Sequence, residues 1–115
     1  MMINLYGISN CDSCRKAKRW LQNRDIEFRF TDVREEALNE NLLEKWQKQL
    51  DGEHLLNKKS ITWRKIPQMD RANMDAHLAR SMILNYPTVM KRPVLDLDNQ
   101  VVLGFDEDTY EALNL

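Results

Sequence analysis

The sequence predicts an α/β fold with a four-stranded mixed sheet and an inserted helical region. Three observations lead to this prediction. A strand, a helix and a strand occupy the first 31 residues, amphipathic helices fill the middle, and two short apolar strands precede a last helix. A strand–helix–strand unit forms a parallel strand pair with a right-handed crossover. A length of 115 residues suits one domain, spanning 1–115, with the helical insert at about 38–87.

The elements of the first half are predicted from the spacing of apolar residues. In order, they are a strand at residues 2–6, a helix at 12–23, a strand at 26–31 and a helix from 38 to near Gly52. Gly7 stops the first strand, and Ser9 or Asn10 caps the first helix. Alternating apolar and polar residues indicate the second strand, and apolar residues at helical spacing indicate the second helix.

The second half contains one helix, a strand pair and a final helix. In order, we predict a mostly irregular segment at 58–71, a helix at 75–86, strands at 94–97 and 100–103, and a helix from Asp106 to about 113. Pro87 closes the helix before it, and Asp98-Asn99 forms the hairpin turn between the strands. The complete order is the thioredoxin-like arrangement with a helical insert, which places a reactive thiol just after the first strand.

The charge balance and the N-terminal sequence exclude several classes of partner and location. The formal net charge is -1 and the pI about 6.1, so no overall positive field attracts nucleic acid or an anionic membrane. No apolar run approaches the roughly 20 residues of a membrane span, and the first residues do not form a secretory signal. We therefore expect a cytoplasmic protein that binds neither nucleic acid directly nor a membrane.

The only two cysteines, Cys11 and Cys14, form a C-x-x-C pair directly after the first strand. A disulfide between them would close a very small loop, in which the entropic stabilisation of the fold is least. A zinc site needs about four ligands, and the chain has only His54 and His77 besides the pair. We therefore expect a redox-active pair, no metal and no bound cofactor.

The position of Cys11, between the first strand and the first helix, favours a role as the nucleophile. A free cysteine has a pKa near 8.5, and lowering it to about 6 requires about 3.4 kcal/mol of selective stabilisation of the thiolate. A helix macrodipole contributes only about 0.3–1 kcal/mol. The backbone N–H groups of the first helical turn and a nearby cation must supply the remainder. Cys14, one turn later, either resolves an intermediate on Cys11 or fills the core.

Five segments together resemble the YffB branch of the ArsC/Spx family. They are LYGISNCD at 5–12, LLN at 55–57, TWRK at 62–65, KRPVL at 91–95 and GF at 104–105. The resemblance extends over nearly the whole chain in the same order. It implies a thioredoxin-like fold with an inserted helical region and the activity of a glutathione-dependent thiol reductase.

The resemblance also implies roles for individual residues. Arsenate reductases of this family use a nucleophilic cysteine after the first strand and three arginines that bind the oxyanion, and glutathione with glutaredoxin recycles the adduct. Cys11 matches the nucleophile and Arg92 matches one arginine, in an Arg-Pro motif whose Pro93 is expected to be cis. The second arginine is replaced by Asn57, and the third would fall near Gly104. Two missing guanidiniums argue against genuine arsenate reduction.

Four further residues are candidates for binding the substrate under the same resemblance. They are Asn10, Asn57, Arg64 and Pro93, and Arg64 is the candidate replacement for a missing arginine. The expected co-substrate is glutathione or another small thiol or disulfide, with glutaredoxin as a candidate protein partner.

The segment CDSCRKAK at 11–18 supports an alternative, because it resembles the redox switch of Spx. Spx is a regulator that binds RNA polymerase. Under this alternative, a Cys11–Cys14 disulfide changes the binding of a protein partner, and the chain is not an enzyme.

Overall fold

The computed structural model describes residues 2–50 and 55–115. Its elements are, in chain order, β1 (Asn4–Gly7), α1 (Asp12–Asn23), β2 (Arg29–Asp32), α2 (Glu40–Gln49), α3 (Ile61–Lys65), α4 (Gln68–Ala72), α5 (Ala76–Asn85), a 3-10 turn (Pro87–Val89), β3 (Val94–Asp96), β4 (Val101–Leu103) and α6 (Glu107–Glu111). Within the described ranges, no helix combines the length and the apolar character that crossing a membrane requires.

The chain divides into two compact units. The first consists of Met1–Glu35 with Arg92–Leu115, and the second is Glu36–Lys91. We call them the sheet unit and the helical unit. The second unit agrees with the position of the predicted helical insert, whereas the prediction of one domain over the whole chain stays a prediction.

The sheet unit contains all four strands in the order β2-β1-β3-β4. β1 pairs with β2 in parallel, and the β1–β3 and β3–β4 pairs are antiparallel. The predicted four-stranded mixed sheet is therefore confirmed. Asp98, in the turn between β3 and β4, has a φ of 72°, which a short polar side chain tolerates better than a branched one.

One apolar core holds the sheet unit together. Its buried members come from α1, β1, β3, α6 and the residues next to them: Ile3, Leu5, Ala17, Trp20, Leu21, Leu95, Leu97 and Tyr110. Trp20 and Tyr110 pack edge to face with ring centroids 5.3 Å apart, an arrangement that suits the charge distribution of aromatic rings. Burying a leucine such as Leu5 contributes about 1.5–3 kcal/mol to the free energy of unfolding. This core fixes α1 against the sheet.

The first two strands begin at later residues than predicted, because the hydrogen-bonded pairing of the strands begins later than the alternation of apolar and polar residues. The predicted strand at 26–31 is β2 at Arg29–Asp32, since the Ile26 N–H still donates to the Leu21 carbonyl at the end of α1, at 3.0 Å. The predicted strand at 2–6 is β1 at Asn4–Gly7. Alternation of side chains thus begins before the hydrogen-bonded ladder does.

The helical unit corrects one prediction. The segment 58–71 is not mostly irregular, because it contains α3 and α4. The Ser60 hydroxyl accepts from the Trp63 N–H at 3.0 Å and thereby starts α3. Each of the two helices has five residues, too few to show a helical repeat of apolar positions.

The longer helices of this unit agree with the prediction. Asn39 and Asp75 cap α2 and α5 by accepting from the backbone N–H three residues later, at 2.8 and 2.7 Å. The predicted end of the earlier helix near Gly52, and the side chain of His54, lie outside the described residues. In the sheet unit, Asp106 caps α6 as predicted, and that helix ends at Glu111, before the predicted 113.

Candidate active site

The turn between β1 and α1 positions Cys11. Cys11 is the N-cap of α1, with φ -106° and ψ 128°, so the predicted capping by Ser9 or Asn10 is wrong. The Ser9 hydroxyl and N–H are instead directed to the Asp32 carboxylate, at 3.2 and 3.1 Å. The Cys11 N–H donates to the Ile8 carbonyl at 3.3 Å and closes the turn. The cysteine therefore takes the place at the helix start that a serine or asparagine usually occupies.

The surroundings of the Cys11 sulfur favour its thiolate. Partial burial works against ionisation and is the largest single influence, but the pKa is lowered from its ordinary value nonetheless. The causes are hydrogen bonds to the sulfur from the Cys14 N–H, the Cys14 thiol, the Arg92 guanidinium and the Ser13 N–H. Donors close to a sulfur stabilise its charged form more than its neutral form, so these groups favour the thiolate.

Arg92 reaches this sulfur because of the sheet topology. β3 is antiparallel to β1, so the residues before β3 lie at the same sheet edge as the end of β1. The Arg92–Pro93 peptide is cis, as the resemblance implied. Pro93 is buried, and its carbonyl accepts from the Gly104 N–H at 2.8 Å. The loop that carries Arg92 is thus tied to the residue after β4.

Cys14 lies one turn along α1 and has the opposite environment. Its side chain is fully buried. Burial, with smaller contributions from the hydrogen bond and charge of Cys11, raises the pKa of the Cys14 thiol to about 11. The Ile8 backbone and the Arg92 charge act in the other direction without reversing the shift. Cys14 therefore remains protonated and presents a thiol hydrogen to the Cys11 thiolate.

Gly7 makes room for the Cys14 sulfur. A β-carbon placed on Gly7 would overlap the Cys14 Sγ, while its separation from the Cys14 Cβ would be an ordinary 3.4 Å. A side chain at position 7 would therefore push the sulfur away from its place against β1. Gly7 is a residue that the sequence analysis used only as the end of a strand.

Sequence reasoning also missed Asp32, the last residue of β2. Its carboxylate is buried and accepts five hydrogen bonds, from Ser9 and from Arg34. The guanidinium of Arg34 is the main cause that holds the pKa of this carboxyl well below its usual range. An acidic residue at the end of a strand parallel to β1 was the available signal, because parallel strands end at one edge of a sheet.

The remaining predicted site residues fall in two places. Asn10 is exposed in the turn before Cys11. Asn57 and Arg64 belong to the helical unit, where the Asn57 side chain accepts from the Lys59 N–H at 3.1 Å and Arg64 is exposed on α3. The structure thus brings together Cys11, Cys14 and Arg92, and the binding roles of Asn10, Asn57, Arg64 and Pro93 stay predictions. Among residues 2–50 and 55–115, no cluster of three or more histidine, cysteine or acidic side chains is arranged to hold a metal ion.

Comparisons with known proteins agree with this geometry. The sequence model of the ArsC family matches residues 6–113. An uncharacterized protein of Haemophilus influenzae is 37% identical over 111 residues, covering 96% of this chain and 97% of that protein. The global transcriptional regulator Spx of Enterococcus faecalis is 30% identical over 109 residues, covering 93% and 82%.

Two solved structures are similar as well. The YFFB protein has a TM-score of 0.91 and 32% identity, with 96% of each chain covered. An arsenate reductase (ArsC) related protein from Brucella melitensis has a TM-score of 0.76 and 40% identity, with 97% of this chain and 93% of that chain covered.

Proposed function

The chain belongs to the ArsC family, and we propose that it is a glutathione-dependent thiol reductase in which Cys11 is the nucleophile. Its relatives include both arsenate reductase-related proteins and Spx regulators. The observation that carries the proposal is the contrast between its two thiols. The Cys11 pKa is lowered at the start of α1, whereas the Cys14 pKa is raised to about 11 inside the core. A nucleophilic thiolate beside a protonated thiol suits thiol–disulfide exchange.

The proposed reaction exchanges one disulfide for another. The Cys11 thiolate attacks the glutathionyl sulfur of a mixed disulfide, forms a Cys11–glutathione disulfide and releases the other thiol, which takes up a proton. A second glutathione, as its thiolate, attacks the glutathionyl sulfur, yields glutathione disulfide and restores the Cys11 thiolate. In the net reaction, one mixed disulfide and one glutathione become one free thiol and one glutathione disulfide. The released thiol is the group that is reduced, and the second glutathione is the group that is oxidised. Arg92 stabilises the anion at the start and at the end of the cycle.

Cys14 offers a second route for the same intermediate. Once Cys11 carries glutathione, its sulfur is uncharged, so the Cys11 charge no longer adds to the effect of burial on the Cys14 pKa. A Cys14 thiolate then displaces glutathione and leaves a Cys11–Cys14 disulfide, which two glutathione molecules reduce. Side chains three residues apart on a helix are about 5–6 Å apart at Cβ, so this bond needs a small adjustment of the first turn.

The proposed substrate class follows from how few of the oxyanion-binding arginines of arsenate reductases this chain shares. The family's arsenate reductases use three, and this chain matches one of them, Arg92. An oxyanion with two negative charges would lack two guanidinium partners, whereas a disulfide needs only a stabilised thiolate. We therefore favour a thiol or disulfide substrate over arsenate, with glutathione as the electron donor, glutaredoxin as a partner and the cytoplasm as the location.

A regulatory function is the second candidate, and the contact between Cys11 and Cys14 favours it. Two-electron oxidation of the Cys11 thiolate and the Cys14 thiol would join the two sulfurs. The oxidant, a peroxide reduced to water and hydroxide or a disulfide reduced to a thiol and a thiolate, takes up the two electrons and the Cys14 proton. The global regulator Spx from Enterococcus faecalis is similar over 93% of this chain. Under this candidate, the chain would bind RNA polymerase in one oxidation state only.

An assay of turnover separates the two candidates. The purified protein is mixed with glutathione and a small glutathione mixed disulfide, and formation of glutathione disulfide is followed with glutathione reductase and NADPH. We expect turnover that Cys11→Ser reduces by about 100-fold or more, because the nucleophile is lost. Cys14→Ser is the matched control and should keep most of the rate. No turnover, together with oxidation-dependent binding of RNA polymerase, would support the regulatory candidate.

A further inference from the structure

The carboxylate of Asp32 lies where it can control the turn that carries Cys11. β1 and β2 are parallel, with Gly7 opposite Asp32 as the last residue of each strand. Both strands therefore end at the edge of the sheet from which the turn 8–10 departs. One Asp32 oxygen accepts from both the N–H and the hydroxyl of Ser9, at 3.1 and 3.2 Å. We propose that Asp32 is a positioning residue for Cys11, an inference that rests on the proposed function.

The turn needs such a tether because few main-chain bonds hold it. The Val33 N–H donates to the Gly7 carbonyl at 2.9 Å, which ends the ladder between the strands. Beyond that bond, the Cys11 N–H reaches the Ile8 carbonyl at 3.3 Å, longer than a typical N–H···O bond. Asp32 fixes Ser9, two residues before the nucleophile, to a buried side chain of the neighbouring strand.

The position of the turn matters because short-range donors hold the Cys11 thiolate. Hydrogen bonds from the Ser13 and Cys14 N–H groups depend steeply on the distance and angle to the sulfur. A turn that drifts by a few tenths of an ångström weakens them, and the Arg92 bond with them. Burial of the sulfur would then no longer be offset, so the thiolate would become less stable.

Arg34 is the charged partner of the Asp32 carboxylate. Its Nε, one terminal nitrogen and its backbone N–H all donate to Asp32, at 3.3, 3.1 and 2.9 Å. The same terminal nitrogen is 3.4 Å from the Ser9 hydroxyl. The negative charge of Asp32 is thus compensated by a guanidinium in the same cluster, while its oxygens stay available to Ser9.

Replacing Asp32 by asparagine separates positioning from charge. Asp32→Asn removes a negative charge and leaves the Arg34 charge uncompensated, so an effect of charge alone would lower the Cys11 pKa. The asparagine amide has one acceptor oxygen and two donors, so it cannot reproduce the carboxylate's bonds to Ser9 and Arg34. A loosened turn would raise the Cys11 pKa. The two explanations therefore predict shifts of opposite sign.

The experiment measures the rate of iodoacetamide alkylation of Cys11 against pH in the full-length protein. We expect Asp32→Asn to raise the apparent pKa of Cys11 by about half a unit or more, which is about a threefold loss of thiolate at a fixed pH well below the pKa. Ser9→Ala, which removes one of the two donors, should shift it in the same direction by less. Asp106→Asn removes a comparable carboxylate that caps α6 and should leave the Cys11 pKa unchanged.

The outcomes distinguish the inference from the proposed function. An ordinary Cys11 pKa in the unmodified protein would contradict the proposed function itself. A lowered pKa in the unmodified protein that stays the same or falls further in Asp32→Asn would overturn the positioning role alone. If Asp32→Asn does not fold, an unchanged Cys11 pKa in Ser9→Ala overturns the inference, and a raised one supports it.

Discussion

The start and the inner face of helix α1 each contain a cysteine, and the two cysteines behave differently. The helix start is defined by Cys11 and Ser13, together with Arg92 from the loop before β3. The inner face is defined by Cys14, Ala17 and Leu21. At the helix start, donors overcome the effect of burial and lower the pKa of a thiol. On the inner face, burial raises the pKa of a thiol to about 11. The difference teaches that the local balance of donors and solvent, and not the C-x-x-C motif, decides which cysteine reacts.

The largest effect is expected on the stability of the protein, from filling the space that Gly7 leaves for the Cys14 sulfur on the inner face. Gly7→Ala places a methyl group where the Cys14 sulfur lies. We expect a loss of about 1–3 kcal/mol in the free energy of unfolding, since extra volume in a packed core forces its neighbours to move. Urea unfolding followed by circular dichroism provides the measurement.

A double variant tests the stated cause of that loss. Cys14→Ala removes the sulfur and leaves ordinary contacts with its β-carbon at 3.4 Å and with the Phe30 ring at 3.6 Å. The Gly7→Ala/Cys14→Ala protein should therefore be more stable than the sum of the two single losses predicts. Strictly additive losses would show that the Gly7 position does not depend on the Cys14 sulfur.

The second largest effect is expected at the helix start, where Arg92 contributes to the difference between the two cysteines. Arg92→Gln removes the one guanidinium that hydrogen bonds to the Cys11 sulfur. We expect the apparent pKa of Cys11 to rise by about one unit, which is about a tenfold loss of thiolate at a fixed pH well below the pKa. Alkylation rates against pH give the value.

Two controls accompany this variant. Arg92→Lys keeps the charge and should recover part of the shift. Arg19→Gln removes an exposed arginine of α1 and should leave the Cys11 pKa as it is. An Arg92→Gln protein with an unchanged Cys11 pKa would mean that the Cys14 thiol and the backbone donors hold the thiolate without Arg92.

The smallest effect is expected from the hydrogen bond between Cys14 on the inner face and Cys11 at the helix start. Cys14→Ala removes the thiol that donates a hydrogen bond to the Cys11 sulfur, and Cys14→Ser replaces it by a hydroxyl donor. We expect the Cys11 pKa to rise by about half a unit in the alanine variant and by less in the serine variant, measured by the same alkylation profile. Equal shifts in both variants would argue that Cys14 acts through packing and not through its hydrogen.

The fold could be predicted where an element is long enough to repeat its pattern. The bounds of α1 agree with the predicted 12–23 because three turns of apolar spacing mark them. Two helices of five residues, α3 and α4, gave no such pattern and were predicted as irregular. The sheet followed from the order of its elements, while the first residue of β2 depended on where pairing starts.

The site was predicted only in the parts that lie close in sequence or in the family resemblance. Adjacency placed Cys11 at the start of a helix, and the Arg-Pro motif identified Arg92. Asp32 was missed although its place at the end of a predicted strand was a signal, because its contact with Ser9 spans 23 residues and depends on strand register. Gly7 and the burial of Cys14 depend on three-dimensional packing, which a pattern of residues does not describe.

The central claim is that Cys11, and not Cys14, is the thiolate of this protein. Iodoacetamide alkylation over a range of pH, with the modified cysteine identified by peptide mass spectrometry, tests this claim most directly. We predict that Cys11 reacts with an apparent pKa below the ordinary value of a free cysteine, while Cys14 in the folded protein remains unmodified until far more alkaline pH. Equal pH profiles for the two cysteines, or a Cys11 pKa at or above the ordinary value, would contradict the claim.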